Sequence, residues 1–178
     1  MSSQPPKIIQ PLPCREPEVG RWLWALQDTR SLTYACLEGI SQAELDWSPP
    51  YRGNTIGSLL YHIAVIEADW LYEDVLQSGF PADVADLFSL GIRDEAGLLS
   101  AVRGVVLEEH LCVLDAVRAR LVLAYSQFTL DEFRRPRRQP DYLVTPEWTL
   151  YHLIEHEAEH RGQILELRNA LKAPWAGG

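Results

Sequence analysis

Residues 151–164 read Tyr151-His152-Leu153-Ile154-Glu155-His156-Glu157-Ala158-Glu159-His160-Arg161-Gly162-Gln163-Ile164. Three of the chain's five histidines stand here at intervals of four. In an α-helix each residue turns by about 100°, so positions four apart drift only about 40° around the axis and share one stripe. Just upstream, Thr145-Pro146-Glu147 offers a capping hydroxyl and a proline suited to the first helical position. The stretch therefore predicts a helix from Pro146 to about Leu171, with Pro174 and the terminal glycines closing the sequence.

Three more helices follow from the same period. Trp22, Leu23, Leu26, Thr29, Leu32, Thr33, Cys36 and Leu37 predict a helix from Pro17 to about Glu38, stopped by Gly39. Ser41-Gln42-Ala43-Glu44 has the capping-box pattern of a short helical turn. Asn54 or Thr55 caps a helix that carries Leu59, His62, Ile63, Ile66, Asp69, Trp70 and Glu73 to about Gln77. Residues 78–93, with Gly79, Pro81 and Gly91, read as a connection holding a short helical piece. Leu98, Leu99, Val102, Val105, Val106, Leu111, Leu114, Val117, Leu121 and Val122 predict a helix from about Asp94 to Gln127, weakened at Gly104. The basic stretch up to Tyr142 reads as loop. Residues 1–16, with Pro5, Pro6, Pro11 and Pro13, read as an extended arm. Four long amphipathic helices without convincing strands predict an all-α fold, a four-helix bundle over 17–178 behind an N-terminal Pro-rich arm.

Composition narrows the function. With 178 residues, 47% hydrophobic, the chain reads as one domain able to bury roughly 70% of its unfolded surface. No metal is needed to make such a core, so a metal here would serve function. A formal net charge of -9 repels phosphate backbones, which makes nucleic acid a poor partner. Arg134-Arg135-Pro136-Arg137-Arg138 is the exception; it could hold an anion, but the simpler reading is a solvated loop paired with nearby Asp and Glu. Cys14, Cys36 and Cys112 are odd in number and widely spaced, which fits a reducing, cytoplasmic setting. Cys36 and Cys112 read as small core residues, and Cys14 as exposed. No secretory signal and no membrane span are expected.

The histidines carry the chemistry. His152 and His160 lie about 12 Å apart along the axis, too far for both to close on one ion at about 2 Å per bond. One adjacent pair must serve, with a third ligand from elsewhere. His62, among Leu59, Ile63, Ile66 and Trp70 on another helix, is the natural candidate; its competing reading is a core histidine satisfied by a hydrogen bond. His156-Glu157-Ala158-Glu159-His160 also matches H-E-x-x-H, in which the Glu would act as base for a zinc peptidase. The extended form would place Gly at 163 and His at 166, where this chain has Gln163 and Glu166. A peptidase is therefore the weakest reading.

Asn54-Thr55-Ile56-Gly57-Ser58-Leu59-Leu60-Tyr61-His62, continuing to Trp70, resembles the second helix of the DinB/YfiT-like superfamily. Residues 151–164, with the ending His160-Arg161-Gly162-Gln163-Ile164, resemble its last helix, and Leu45-Asp46-Trp47-Ser48-Pro49 fits as well. The resemblance covers about residues 17–172. It implies a bundle with a three-histidine site made by His62, His156 and His160. It implies nickel or zinc, or else manganese or iron, and a homodimer. Many relatives carry a further His where this chain has Glu159. Relatives of known chemistry are thiol transferases and thiol-dependent isomerases using low-molecular-weight thiols, and others resemble hydrolases. The implied function is thus a metal-dependent transferase or hydrolase acting on a small-molecule substrate; the alternative is a non-catalytic metal-binding or stress-associated protein.

Around this site, Glu157 is a candidate general base, with a surface carboxylate as its competing reading. Asp69, seven residues after His62, could orient a ligand, line the pocket or join a salt bridge. His152 reads as a supporting or core residue. Trp22, Trp70 and Trp148 read as core or interface residues rather than substrate platforms.

Overall fold

A computed structural model describes residues 7–50 and 53–172. Pro5, Pro6, Tyr51, Arg52, Pro174 and the terminal glycines lie outside the described residues. Helix α1 (Pro17–Leu37) starts on its proline with Glu18 in the first turn. Helix α2 (Gln42–Asp46) is held by the capping box, in which Ser41 and Glu44 satisfy each other's backbone N–H. Helix α3 (Ile56–Asp69) is capped by the Thr55 hydroxyl, which accepts from Ser58 N at 2.9 Å. It runs on as a π-helical turn over Trp70–Val75. After α4 (Ala82–Ala85) come α5 (Leu107–Ser126), α6 (Leu130–Arg134) and the long α7 (Pro146–Lys172). Thr145 Oγ1 caps α7 by accepting from Trp148 N at 3.1 Å.

Two expectations about the connections change. The third long helix begins at Leu107, not near Asp94. The Asp94 carboxylate takes the N–H groups of Ala96 and Leu98, both at 2.9 Å, which closes a local turn instead of a helix. Gly97 and Gly104 then adopt φ of 77° and 74°, a left-handed backbone that no helix interior allows. Val102 is pinned across the start of α3, its N–H donating to Ser58 Oγ and its carbonyl accepting from Thr55 Oγ1. The basic stretch also holds a minimal hairpin, β1 (Arg137–Arg138) against β2 (Leu143–Val144). Arg134, the last residue of α6, pairs with Glu18 and with Glu147, while Arg137 donates to the carbonyls of Val75 and Arg135.

Helix α1 packs on α7 and α5, and α3 packs on α5 and α7, which closes a ring of four long helices. Leu23, Leu26, Leu71, Leu121, Tyr125 and Phe133 fill one end of the interior, and Leu37, Leu59, Leu60, Ile63, Leu114 and Ile164 the other. Residues 7–16 carry no regular structure but lie on this core: Leu12 N donates to Gly20 O at 3.0 Å, and Arg15 N to Ser126 O at 2.8 Å. A Cβ on Gly20 would fall 2.5 Å from Leu12 O, so only glycine lets the arm lie this close. Cys14 packs against the core, and Cys112, expected inside, is exposed. Buried positions on α5 are 110, 114, 117, 118, 121 and 125, which puts residue 112 on the outer face. Among the described residues no helix is long and apolar enough to cross a membrane.

Between the two apolar ends sits a closed charge network with one residue from each long helix. Arg30 of α1 donates to Glu157 of α7 (Nε to Oε1, 2.8 Å) and to Glu67 of α3 (Nη2 to Oε2, 2.8 Å). Arg118 of α5 donates to both Glu67 oxygens at 2.7 and 2.8 Å, and to Glu157 Oε2 at 2.9 Å. Arg30 Nη1 reaches Leu114 O, and Arg118 Nη1 reaches Leu26 O. All four side chains are at most 4% exposed. Burial opposes the charged form of Glu67, but Arg118 and Arg30 outweigh it and hold its carboxyl below the usual range. Removing one charge leaves a buried partner uncompensated, at a cost of about 3–5 kcal/mol. Glu67→Gln should therefore lower the unfolding free energy by that amount in urea titrations near neutral pH. A loss below about 1 kcal/mol, the range of exposed pairs, would show that the network does not hold the helices.

Candidate metal centre

The sequence left open which histidine pair faces His62. The backbone decides it: His62 on α3 lies opposite His156 and His160 on α7. His156 Nε2 is 3.2 Å from His62 Nε2 and 3.0 Å from His160 Nε2. One nitrogen from each ring lies within 4.8 Å of the others, and among the described residues no carboxylate or thiol joins them. His152, one turn earlier, stands apart: its ring stacks on Trp148 with centroids 5.1 Å apart and 7° between planes, and meets Trp70 at 4.9 Å.

All three rings are held neutral. Burial, then His160 and Arg93, push His62 down to about 4. Burial, then His160, His62 and His152, push His156 down to about 3. Burial also lowers His160. Its Nδ1 lies 3.0 Å from Gln163 Oε1, an acceptor. With the proton on Nδ1, the His160 Nε2 lone pair faces His156. Protons alone then cannot serve both contacts of His156 Nε2. If that nitrogen carries hydrogen, it can donate one linear bond to His160 but cannot accept from His62; if it carries none, two lone pairs face each other. A cation resolves the conflict. Two imidazole nitrogens at about 2.0–2.1 Å from one ion, at angles of 90–109°, stand about 2.9–3.4 Å apart. The two separations from His156, 3.0 and 3.2 Å, lie inside that window, and the His62 and His160 nitrogens stand within 4.8 Å of each other. The donor set fits a divalent ion with at least one position left open.

Glu157 is in neither place expected of it. Its side chain points into the interior, 1% exposed, and both oxygens accept from Arg30 or Arg118. Although it follows His156 directly, about 100° of helical turn separates them. Three guanidinium bonds engage this carboxylate, and it is not among the groups that converge with the histidines. Gln163 is the supporting residue that sequence reasoning missed; its place three residues after His160 on one helix face was the available signal. Arg93 and Asn54 also line the pocket of about 420 Å3 around the rings. Arg161 donates to the Thr29 carbonyl of α1.

A largely helical chain carrying three convergent neutral imidazoles has the makings of a metal-binding helical protein. Residues 25–164, which include all three histidines, match the model of the DinB superfamily, and the chain belongs to that superfamily. No curated protein matches the chain.

Asp69 takes no part in the cluster and, among the described residues, makes no ion pair. Burial, then Asp74 and Glu73, push its carboxyl up to about 6. A carboxyl raised in the folded state stabilises the fold fully only below its unfolded value of 3.8, and that contribution is lost as pH rises through about 6. Asp69→Asn should therefore melt at a higher temperature than the wild type above about pH 7, with the difference closing between about pH 6 and 4. An equal difference at both ends of that range would mean that the charge of Asp69 is not what costs stability.

Proposed function

We infer that this chain is a metalloprotein in which His62, His156 and His160 hold one divalent ion, nickel or zinc before manganese or iron. We infer further that it is an enzyme of thiol-dependent transferase or hydrolase type, built on a four-helix bundle and working in the cytoplasm. The observation that carries the reading is the convergence of three imidazole nitrogens within 4.8 Å, with His156 Nε2 at 3.0 and 3.2 Å from the other two in contacts that protons alone leave in conflict. A divalent ion in that position supplies Lewis acidity toward a thiol, a water or a carbonyl oxygen.

The chain's own residues support this in definite ways. Gln163 fixes the ring of His160 from the far side, as an outer hydrogen-bond partner does for a ligating imidazole. Burial keeps His62 and His156 unprotonated at neutral pH, so ligation does not require stripping protons from the rings. Three protein ligands leave room for a substrate, whereas a structural site is normally closed by four. Arg93 places a positive charge at the rim, which favours an ionised thiol or a carboxylate over a cation. The membership in the DinB superfamily agrees with metal binding.

Elemental mass spectrometry of the purified protein should find about one divalent ion per chain. His62→Ala and His156→Ala should each lose it while keeping helical circular dichroism. Absence of metal after reconstitution with nickel, zinc, manganese and iron would overturn the site. One bound ion without thiol transfer or hydrolysis would leave the non-catalytic metal-binding reading.

A further inference from the structure

Trp70 lines two cavities. One is the histidine pocket; the other is a groove of about 560 Å3 bounded by Trp70, Pro136, Tyr142, Leu143 and Trp148. Ring contacts join the two. His152 lines the histidine pocket, stacks on Trp148, meets Trp70, and lies 5.8 Å from His156. Trp70 and Trp148 also touch each other, with centroids 5.5 Å apart.

The groove is built rather than incidental. Trp70 opens the π-helical turn that follows α3. Tyr142 is fixed by its hydroxyl, which donates to Asp74 Oδ1 at 2.6 Å, and its ring lies 6.3 Å from Trp70. Trp148 sits in the first turn of α7, where its backbone N–H donates to the Thr145 cap. These supports hold large apolar side chains in water: Tyr142 is 48% exposed, Leu143 58% and Trp148 46%. Leaving such surface wet forgoes stabilisation that folding could have used. The volume is that of a small-molecule site, apolar with a few polar groups.

We propose that this groove receives the apolar, planar part of a small-molecule substrate whose reactive end reaches the three histidines. The inference rests on the reading that those histidines hold an ion. Continuity through Trp70 and His152 is what selects this occupant: a group lying on Trp148 is joined to the histidine pocket by an unbroken run of rings. Aromatic faces reward a flat partner beyond the area it buries. The substrate class is accordingly an aryl or similarly flat apolar body joined to a metal-ligating head, rather than a small fully polar thiol.

Acetohydroxamate and 2-naphthohydroxamate carry the same chelating head on different bodies. Each is titrated by calorimetry into the zinc-loaded protein and into its Trp148→Ala and Leu143→Ser variants. The naphthyl compound should bind the wild type at least about tenfold tighter, and that ratio should fall below about threefold in Trp148→Ala. Equal affinities in the wild type, or a ratio that survives both substitutions, overturns the proposal. So does a dimer that dissociates on Leu143→Ser in a protein with no naphthyl preference, since a second copy then covers the groove. Should the protein hold no zinc, 2-naphthol tests the groove alone. Its binding, lost in Trp148→Ala, upholds an aromatic site while the metal reading fails, and its failure to bind overturns both.

Discussion

The closed bond network of Arg30, Glu67, Arg118 and Glu157 is the constraint on which the arrangement of the helices depends. Apolar packing draws four helices together but is indifferent to small slides and rotations. Four charges that must all be satisfied inside are not indifferent. Each carboxylate binds both guanidiniums, so a shift of any one long helix breaks bonds to two others. The network balances two positive charges with two negative ones, which is why it can be carried through the middle of an apolar interior.

The same two helices that supply the carboxylates supply the histidines. Glu67 follows His62 by five residues on α3, and Glu157 follows His156 by one on α7. The inward face of each helix is therefore locked, and the neighbouring face presents a ring. The distance from His62 to His156 follows from bonds made in the interior by the same two helices. This pre-organisation explains how rings kept neutral by burial can face one another without being pushed apart.

Much of this was legible in the sequence. The stripe of histidines at spacing four, the caps at Ser41, Thr55 and Thr145, and the apolar period of α1 and α7 are local signals, and local signals survive in a sequence. The choice between the pairs His152/His156 and His156/His160 was not legible from spacing, because it depends on the height at which α3 crosses α7. The start of α5 was misjudged because Leu98, Leu99, Val102, Val105 and Val106 keep an apolar rhythm, while the turn at Asp94 and the backbone at Gly97 and Gly104 override it. Glu157 was read as a candidate base or a surface carboxylate, and the surface reading fails because its side chain is buried. A different clue was available: Arg30, Glu67, Arg118 and Glu157 each fall on the apolar stripe of a different helix, two of each sign. Charged residues in such positions have to find one another.

The pocket around the histidines is made of two unlike materials. Its floor comes from α3 and α7, which are fixed by the interior. Part of its rim, Ile92, Arg93 and Leu99, comes from the irregular connection between α4 and α5, which is held locally by the Arg93–Leu99 bridge and the Asp94 turn. Changes in length around Arg93 cost little in loop closure, which depends only weakly on length, whereas Val102 further along is bonded to the start of α3. A scaffold divided in this way can diversify: one half holds the three imidazoles in place while the other is open to change, so that the surroundings of the rings can be rewritten without moving the rings themselves.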